Sequence, residues 1–436
     1  MEAFLSVGVV LALIFFYLGL GVWVFAGLML VAATSLWWIM GMSIERIGTI
    51  AANIAFRYSS TWELAAIPMF IWMGEIIFRT DISNRLFRGL MPFVHWVPGR
   101  LLHTNVLGCT LFAAVSGSSA ATTATVGKIT TAELARRGYN RSLSMGSLAG
   151  AGSLGFLIPP SIIMIVYGIL AEVSVSRLFA AGVFPGLMVA GLYSSYIIFR
   201  AVAEPSIAPE SNERYGFRDY LSALVDLSPI LVLMVIVLGS IYSGIATPSE
   251  AAAVGVAAAI AITIAMRQMT ARLFVDTLLG AIRTSCMVSI ILVSAAFLAT
   301  AMGYLHVPAN VARAIAVLDL SPWQLLLVLS VFYIILGLFL DGVSIIVMSL
   351  PITLPLAMQA GFDPIWFGIY LVIMVEMGQV TPPVGFNLFV IQGLTGTPIG
   401  KVAIASFPFF CLMGLAVALL WFFPDIALWL PRTLYG

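Results

Sequence analysis

A chain of 436 residues that is 61% hydrophobic, only 9% charged and +1 in formal net charge cannot clothe a water-facing surface, since soluble domains carry about a quarter charged residues. A mean hydropathy of +1.10 makes the lipid bilayer the expected solvent, and the lack of a basic field argues against nucleic acid as a partner. Cys109, Cys286 and Cys411, like His95, His103 and His306, are scattered without metal-ligand spacing. The cysteines read as buried structural thiols. Gly127-Lys128 lacks the flanking glycines and the following Ser/Thr of a phosphate loop, so the chain alone is not expected to hydrolyse ATP. No Ser/His/Asp, Cys/His or metal constellation is visible, which argues against an enzyme.

Two apolar helices are predicted first, near Phe4–Leu18 and Leu20–Met42. No basic leader or small-residue cleavage site precedes them, so the first reads as a retained span. A third span covers about Trp62–Phe78. In 79–100, Arg79, Asp81, Arg85 and Arg88 alternate with Ile82, Leu86, Leu90 and Phe93, the pattern of an interfacial amphipathic helix. The apolar arms on either side of Ser116-Gly117-Ser118-Ser119 are each too short to cross a bilayer, and together suit a re-entrant hairpin. A span from Ser142 to about Ala171 is broken by Pro159-Pro160, and another runs near Leu178–Phe199. The polar stretch 201–226 reads as a connector between halves. Spans near Leu227–Ser243, Ser249–Met266 and Ser285–Tyr304 follow. Trp323–Ala357, interrupted at Asp341-Gly342-Val343-Ser344, is a second hairpin. A span near Pro364–Leu394 is broken by Pro382-Pro383, and Val402–Phe423 is the last helix.

The halves repeat. A constant offset of 223 residues relates Gly138 to Gly361, Tyr139 to Phe362, Gly155 to Gly378, Pro159-Pro160 to Pro382-Pro383 and Phe184-Pro185 to Phe407-Pro408. If hairpins do not cross and broken helices cross once, the loops 79–100, 128–141, 200–226, 267–283 and 397–401 share one side. They hold 4, 4, 3, 3 and 1 Lys or Arg, 15 of the chain's 20. The positive-inside rule makes that side cytoplasmic and both termini periplasmic. The repeats are then inverted, and inverted repeats with broken helices meeting at the midplane mark secondary transporters.

Irregular backbone at membrane depth must be buried or line a wet cavity. Each Pro-Pro pair removes amide donors and frees carbonyls one turn earlier. With nearby hydroxyls, those carbonyls suit a hard cation such as Na⁺. The first candidate site comprises Ser116, Gly117, Ser118, Ser119, Gly155, Pro159, Pro160 and Ser161; the second comprises Asp341, Gly342, Ser344, Gly378, Thr381, Pro382, Pro383 and Asn387. A kinked helix is the plain alternative for either Pro-Pro pair alone. Thr122 and Thr123 serve either helix packing or solute contact. Deep acids default to function: Asp341 either assists a cation site or caps the returning hairpin helix, and Glu376 binds either a backbone amide or a hairpin hydroxyl. Glu250, in Thr247-Pro248-Ser249-Glu250, fits a helix start.

Four blocks, GSSAATTATVGKITTAELARRGY, GSLGFLIPPSIIMIVYG, GIATPSEAAAVG and EMGQVTPPVGFNLFV, make the chain resemble the large membrane subunit of tripartite ATP-independent periplasmic (TRAP) transporters over nearly its whole length. The resemblance implies a bacterial inner-membrane elevator importing an organic anion, commonly a carboxylate, with Na⁺ as coupling ion and no cofactor. It implies a small four-helix membrane subunit and a periplasmic substrate-binding protein as partners. The sodium sites would lie at Ser116–Ser119 with Gly155–Ser161, and at Asp341–Ser344 with Gly378–Asn387. Helix N-termini would receive the carboxylate, because no basic side chain sits within either stretch.

The expected fold class is therefore an all-α polytopic membrane protein, an elevator-type secondary transporter with inverted repeats. Its expected parts are scaffold helices in 1–78, the interfacial helix 79–100, a first transport repeat 101–200, a cytoplasmic connector 201–226, scaffold helices 227–283 and a second transport repeat 284–424. A stand-alone ion-coupled carboxylate transporter is the first alternative, which uptake without partner proteins would favour. A channel is the second, which ohmic current without Na⁺ dependence would favour.

Overall fold

The computed structural model describes residues 9, 10, 12, 13, 16, 17, 19–209, 215–307, 310, 320–338, 340–382 and 385–436. The expected helix Phe4–Leu18 lies largely outside them, as do Glu210, Glu213, Arg214, Arg313 and Pro383. Helices and turns make up the described residues, with no strand among them. Among the described residues, six helices are long and apolar enough to cross a membrane: Val175–Ala203, Phe217–Tyr242, Pro248–Ala265, Ala271–Tyr304, Gly342–Gln359 and Ile399–Phe422. Two bent pairs qualify together, Ile44–Ser59 with Trp62–Phe78 at 60° and Arg141–Leu157 with Ile162–Leu170 at 42°. The chain is a multi-pass membrane protein, all-helical as expected.

Packing sorts the helices into two groups. In the outer group, Ala271–Tyr304 lies on Val24–Trp38 and Ala66–Phe78, Pro248–Ala265 on Ala66–Phe78, and Ile82–Val94 on Phe217–Tyr242. Small residues set these approaches. Gly89 leaves no room for a methyl group, which would fall 2.7 Å from Leu227 Cγ and 2.8 Å from the Ala223 carbonyl. The apolar face of Ile82–Val94 thus rests on protein, while Arg85 and Arg88 pair with Asp81 at 3.7 and 3.3 Å. The inner group holds both hairpins, both broken helices, Val175–Ala203, Ile399–Phe422 and Asp425–Tyr435. Gly146 and Gly150 seat Arg141–Gly152 against Ala405 and Phe409.

The repeat is visible in the backbone. The first hairpin is His103–Ser116 and Ser119–Arg136, the second Pro322–Gly337 and Gly342–Gln359. Both returning arms have 18 residues, and the 223-residue offset relates their ends. Each arm is followed by a glycine in the left-handed region, Gly138 at φ +75° and Gly361 at φ +86°. Each broken helix then starts from an equivalent cap: Asn140 accepts from the Leu143 amide at 2.9 Å, and Asp363 from the Ile365 amide at 2.8 Å. Such caps contribute about 0.5–2 kcal/mol each.

Some elements depart from the sequence reading. Ala271–Tyr304 runs 34 residues through most of the segment expected as the loop 267–283. Thr270 caps it, accepting from the Leu273 amide at 3.1 Å, and Arg272 and Asp276 pair at 3.8 Å on its exposed face, so the helix starts before its apolar part does. Ile44–Ser59 and Asp425–Tyr435 are additional helices. The cysteines are also not all buried: Cys109 is, whereas Cys286 and Cys411 are exposed on the surface of this chain, on helix faces that need only be apolar to meet lipid.

Candidate functional site

The first hairpin turns on two residues. Gly117 ends His103–Ser116 at φ +61°, and a Cβ there would fall 2.7 Å from the Pro160 carbonyl oxygen, so the position requires glycine twice over. Ser118 is extended and caps the returning arm, its hydroxyl accepting from the Ala121 amide at 3.4 Å. The Ser116 and Thr122 hydroxyls share a hydrogen bond of 2.9 Å that closes the turn.

The first broken helix meets this turn. Its chain runs helically to Leu157, is extended at Ile158 and at Ser161, and resumes at Ile162. Pro159 and Pro160 occupy the positions whose amides would bond the Gly155 and Phe156 carbonyls, so those oxygens lose their helical donors. Ser161 caps the second segment, accepting from the Met164 amide at 3.4 Å. The Ile162 amide donates to the Gly117 carbonyl at 3.3 Å. A Cβ on Gly155 would lie 2.6 Å from both the Ser118 carbonyl oxygen and the Ser119 Cα. Two serine-capped helix N-termini, Ser119–Arg136 and Ile162–Leu170, therefore converge on one spot, an arrangement suited to an anion.

The second repeat builds its counterpart differently. Asp341 caps the returning arm through the Val343 and Ser344 amides at 3.1 and 3.3 Å, and the Ser344 hydroxyl donates to its other carboxylate oxygen. Of the two roles open to Asp341 from sequence, capping is the one seen here. Gly337 and Gly378 bring the hairpin and the broken helix into backbone contact: a Cβ on Gly378 would be 2.6 Å from Gly337 Cα. The Thr381 hydroxyl donates to the Met377 carbonyl at 2.6 Å, Gln379 Nε2 to the Leu340 carbonyl at 3.4 Å, and Pro382 ends the described part of the break before Gly385 at φ +44°.

The two candidate sites interlock. Asn387, grouped by sequence with the second hairpin, donates from Nδ2 to Ser119 Oγ of the first at 2.8 Å. Gly342, at the second hairpin's turn, faces Phe156 and Ile163 of the first broken helix. Ser119 Oγ also reaches Glu376 Oε2 at 2.9 Å and the Gly152 carbonyl at 3.2 Å, while Glu376 Oε1 accepts from the Phe156 amide at 3.2 Å. Sequence left Glu376 a choice between an amide and a hairpin hydroxyl; it takes both. The partnership of Gly152 and Phe156 was not legible, because it uses backbone atoms, which every residue carries. Among the described residues, Thr123 Oγ1 and Asn387 Oδ1 are buried without a hydrogen-bond partner. Buried oxygens left unpaired are costly unless something unseen satisfies them, and neutral oxygen donors suit Na⁺. No group of three or more His, Cys, Asp or Glu suited to a metal occurs among the described residues.

Cavities flank the inner group. One of about 640 Å³ separates Arg79, Asp81, Asn84 and Leu273 of the outer group from Thr125, Lys128 and Ile129 of the hairpin arm. Another of about 490 Å³ includes Lys128, Thr131, Arg141, Ser144 and Thr395. A third of about 420 Å³ includes Glu63, Gly168, Glu172, Ser174, Thr247 and Ser249.

Residues 10–426 match the family described as "Tripartite ATP-independent periplasmic transporter, DctM component". The C4-dicarboxylate TRAP transporter large permease protein DctM of Pseudomonas aeruginosa is 37% identical over 397 residues, 91% of this chain and 92% of that one. The ectoine/5-hydroxyectoine TRAP transporter large permease protein UehC of Ruegeria pomeroyi is 32% identical over 84% of this chain and 85% of its own length. The isethionate TRAP transporter permease protein DctMQ of Oleidesulfovibrio alaskensis is 33% identical over 87% of this chain, which spans 61% of that longer protein. Among solved structures, the Alcanivorax borkumensis YdaH transporter has the same fold, with a TM-score of 0.63 at 13% identity over 89% of each chain. These relatives are transporters and permease subunits, not enzymes. Family match, coverage and fold agree: the chain belongs to the DctM-component family of tripartite ATP-independent periplasmic transporters and is a large permease subunit.

Proposed function

We propose that this subunit imports a small organic anion across the bacterial inner membrane, with Na⁺ as the driving ion and the hairpin-bearing inner group sliding against the outer group as an elevator. The observation that carries this reading is the interlocked pair of hairpins and broken helices, where serine-capped helix N-termini and carbonyls without helical donors meet at the first turn. Helix N-termini favour a carboxylate, and neutral oxygens favour Na⁺. The buried unpaired oxygens of Thr123 and Asn387 supply donors of that kind. Relatives named for C4-dicarboxylate and isethionate favour an organic anion as cargo. Family membership favours a periplasmic binding protein that delivers it and a small four-helix membrane subunit that completes the outer group. The bias of Lys and Arg puts the hairpin-flanking basic loops in the cytoplasm and both termini in the periplasm, which makes the repeats inverted.

The test is solute uptake by the subunit co-expressed with its two partners, in the presence and absence of Na⁺. Ser118→Trp and Thr381→Phe should each abolish Na⁺-dependent uptake while the purified protein keeps its elution profile and helix content. Unchanged sodium dependence in both variants would sink the assigned sites. Uptake by the isolated subunit points to a stand-alone carrier instead, and Na⁺-independent ohmic current points to a channel.

A further inference from the structure

Phe386–Thr395 stops at Gly396, in the left-handed region at φ +65°, and after Thr397-Pro398 the chain restarts as Ile399–Phe422. Pro398 occupies the cap position of the new helix, and no side chain caps it, so its first-turn amides keep donors to offer. Arg141, the first residue of Arg141–Gly152, reaches across to this corner. Its Nη2 donates to the Thr395 carbonyl at 2.8 Å and to Thr397 Oγ1 at 2.9 Å. The guanidinium is thereby fixed, and among the described residues no acceptor meets its Nε or Nη1. Lys401, in the first turn of Ile399–Phe422, lines a cavity of about 410 Å³ together with Arg141, Thr397, Pro398 and Ile404. Among the described residues neither cation forms an ion pair, and no Asp or Glu lines the cavity. The adjoining cavity of about 490 Å³ shares Arg141 and adds Lys128.

Beyond the cations the surface turns apolar. Lys401, Ile404, Phe407, Cys411 and Leu415 are exposed at helical spacing along Ile399–Phe422, so they form one continuous face. Ile404 is 76% and Phe407 61% exposed, and Ile404 also lines the cavity. The cavity and the stripe are therefore joined. Ile399–Phe422 is long and apolar enough to span the membrane, which sets its first turn at headgroup depth and the stripe at acyl-chain depth.

We propose that this corner binds one anionic phospholipid, its phosphate on Arg141, Lys401 and the uncapped helix start, and an acyl chain along Ile404, Phe407 and Leu415. Basic pockets between membrane helices are suited to such headgroups, and a guanidinium held in place loses little freedom on meeting a phosphate. A soluble anion would use the cations but not the stripe; a lipid uses both. Arg141 belongs to the first repeat and Lys401 to the second, so the bound phosphate ties the two repeats together in the leaflet that meets the basic loops 128–141 and 397–401.

The test is native mass spectrometry of the delipidated full chain, titrated in detergent with dioleoylphosphatidylglycerol or dioleoylphosphatidylethanolamine, which share acyl chains and differ in charge. The first phosphatidylglycerol adduct should form at a lower lipid concentration than the first phosphatidylethanolamine adduct. Lys401→Gln should weaken it about fivefold, and Arg141→Gln combined with Lys401→Gln more than about tenfold. Arg272→Gln removes an exposed cation that pairs with Asp276 on the outer group, and should leave the adduct unchanged. Lys401→Gln breaks no ion pair, so it decides the matter even where the double variant is not recovered folded. Equal binding of the two lipids, or equal loss in Arg272→Gln and Lys401→Gln, overturns the proposal, since the surface is then merely apolar or diffusely charged. Displacement of the lipid by glycerol 3-phosphate at equal concentration overturns it too, by assigning the cations to a soluble anion. These measurements involve neither Na⁺ nor uptake, so their outcome is independent of the transport function proposed above.

Discussion

Thr123 is buried completely beside Gly152, with a hydroxyl that finds no hydrogen-bond partner among the described residues. If that oxygen only packed a helix, Thr123→Val would remove an unsatisfied polar group and be neutral or stabilising. If it serves a cation, the same substitution removes a ligand of the bound ion. Charge-assisted contacts contribute about 1.5–3 kcal/mol, so the half-saturating Na⁺ concentration for uptake should rise about tenfold or more. Thermal stability in sodium-free buffer should hold or increase. An unaltered sodium dependence would return Thr123 to the two roles its sequence position allows, helix packing or solute contact. Capping was among the roles the sequence left open for Asp341, whereas Ser118 and Ser161, read from sequence as cation-site oxygens, also sit at helix starts. Residue-scale chemistry was illegible where the partner was backbone, as with the Phe156 amide and the Gly152 carbonyl. Asn387, read with the second site, also bonds Ser119 of the first hairpin, a link that its sequence distance from Thr381 does not carry.

At the scale of the element, the repeat was the most readable feature. A register carried by glycines and prolines relates the returning arms Ser119–Arg136 and Gly342–Gln359 without reference to any contact. The missed helices, Ile44–Ser59 and Asp425–Tyr435, are amphipathic: each has charged residues on an exposed face and few buried ones, so a search for uninterrupted apolar stretches passes over them. Glycine content was visible too, but not which glycines matter. Gly378 touches Gly337 backbone to backbone, whereas a Cβ on Gly393, in Phe386–Thr395, would meet no atom within 4 Å among the described residues outside its own helix turn. Gly378→Ala should therefore separate the second hairpin from its broken helix, cost at least about 1–3 kcal/mol and abolish uptake. Gly393→Ala should stabilise its helix by about 0.5–1 kcal/mol and leave uptake unchanged. Thermal denaturation in detergent beside uptake in cells measures both. Equal behaviour of the two variants would mean that the close approach at Gly337 is not needed.

The molecule as a whole divides along the cavity between Arg79, Asp81, Asn84 and Leu273 on one wall and Thr125, Lys128 and Ile129 on the other. A sliding mechanism requires that boundary to move, since the outer wall belongs to helices packed on one another and the inner wall belongs to a hairpin tied by Ser119 to the second broken helix. A fixed-pathway protein would tolerate a tether across it. Ile129→Cys with Leu273→Cys places one thiol on each wall, and the exposed Cys286 and Cys411 must first become serine, while buried Cys109 can remain. A bifunctional maleimide should then stop uptake, and a monofunctional maleimide of similar size should leave most of it, because only the former joins the walls. Cross-linking is scored by the intramolecular mass increment. Complete cross-linking with full uptake would show that the two groups need not separate at this boundary, and the elevator reading would fail while the family assignment stood. Sequence could not supply this boundary: the hairpins were visible as interrupted apolar chain, but which helices they face depends on side-by-side packing between segments remote in sequence, such as Gly342–Gln359 and Ala271–Tyr304.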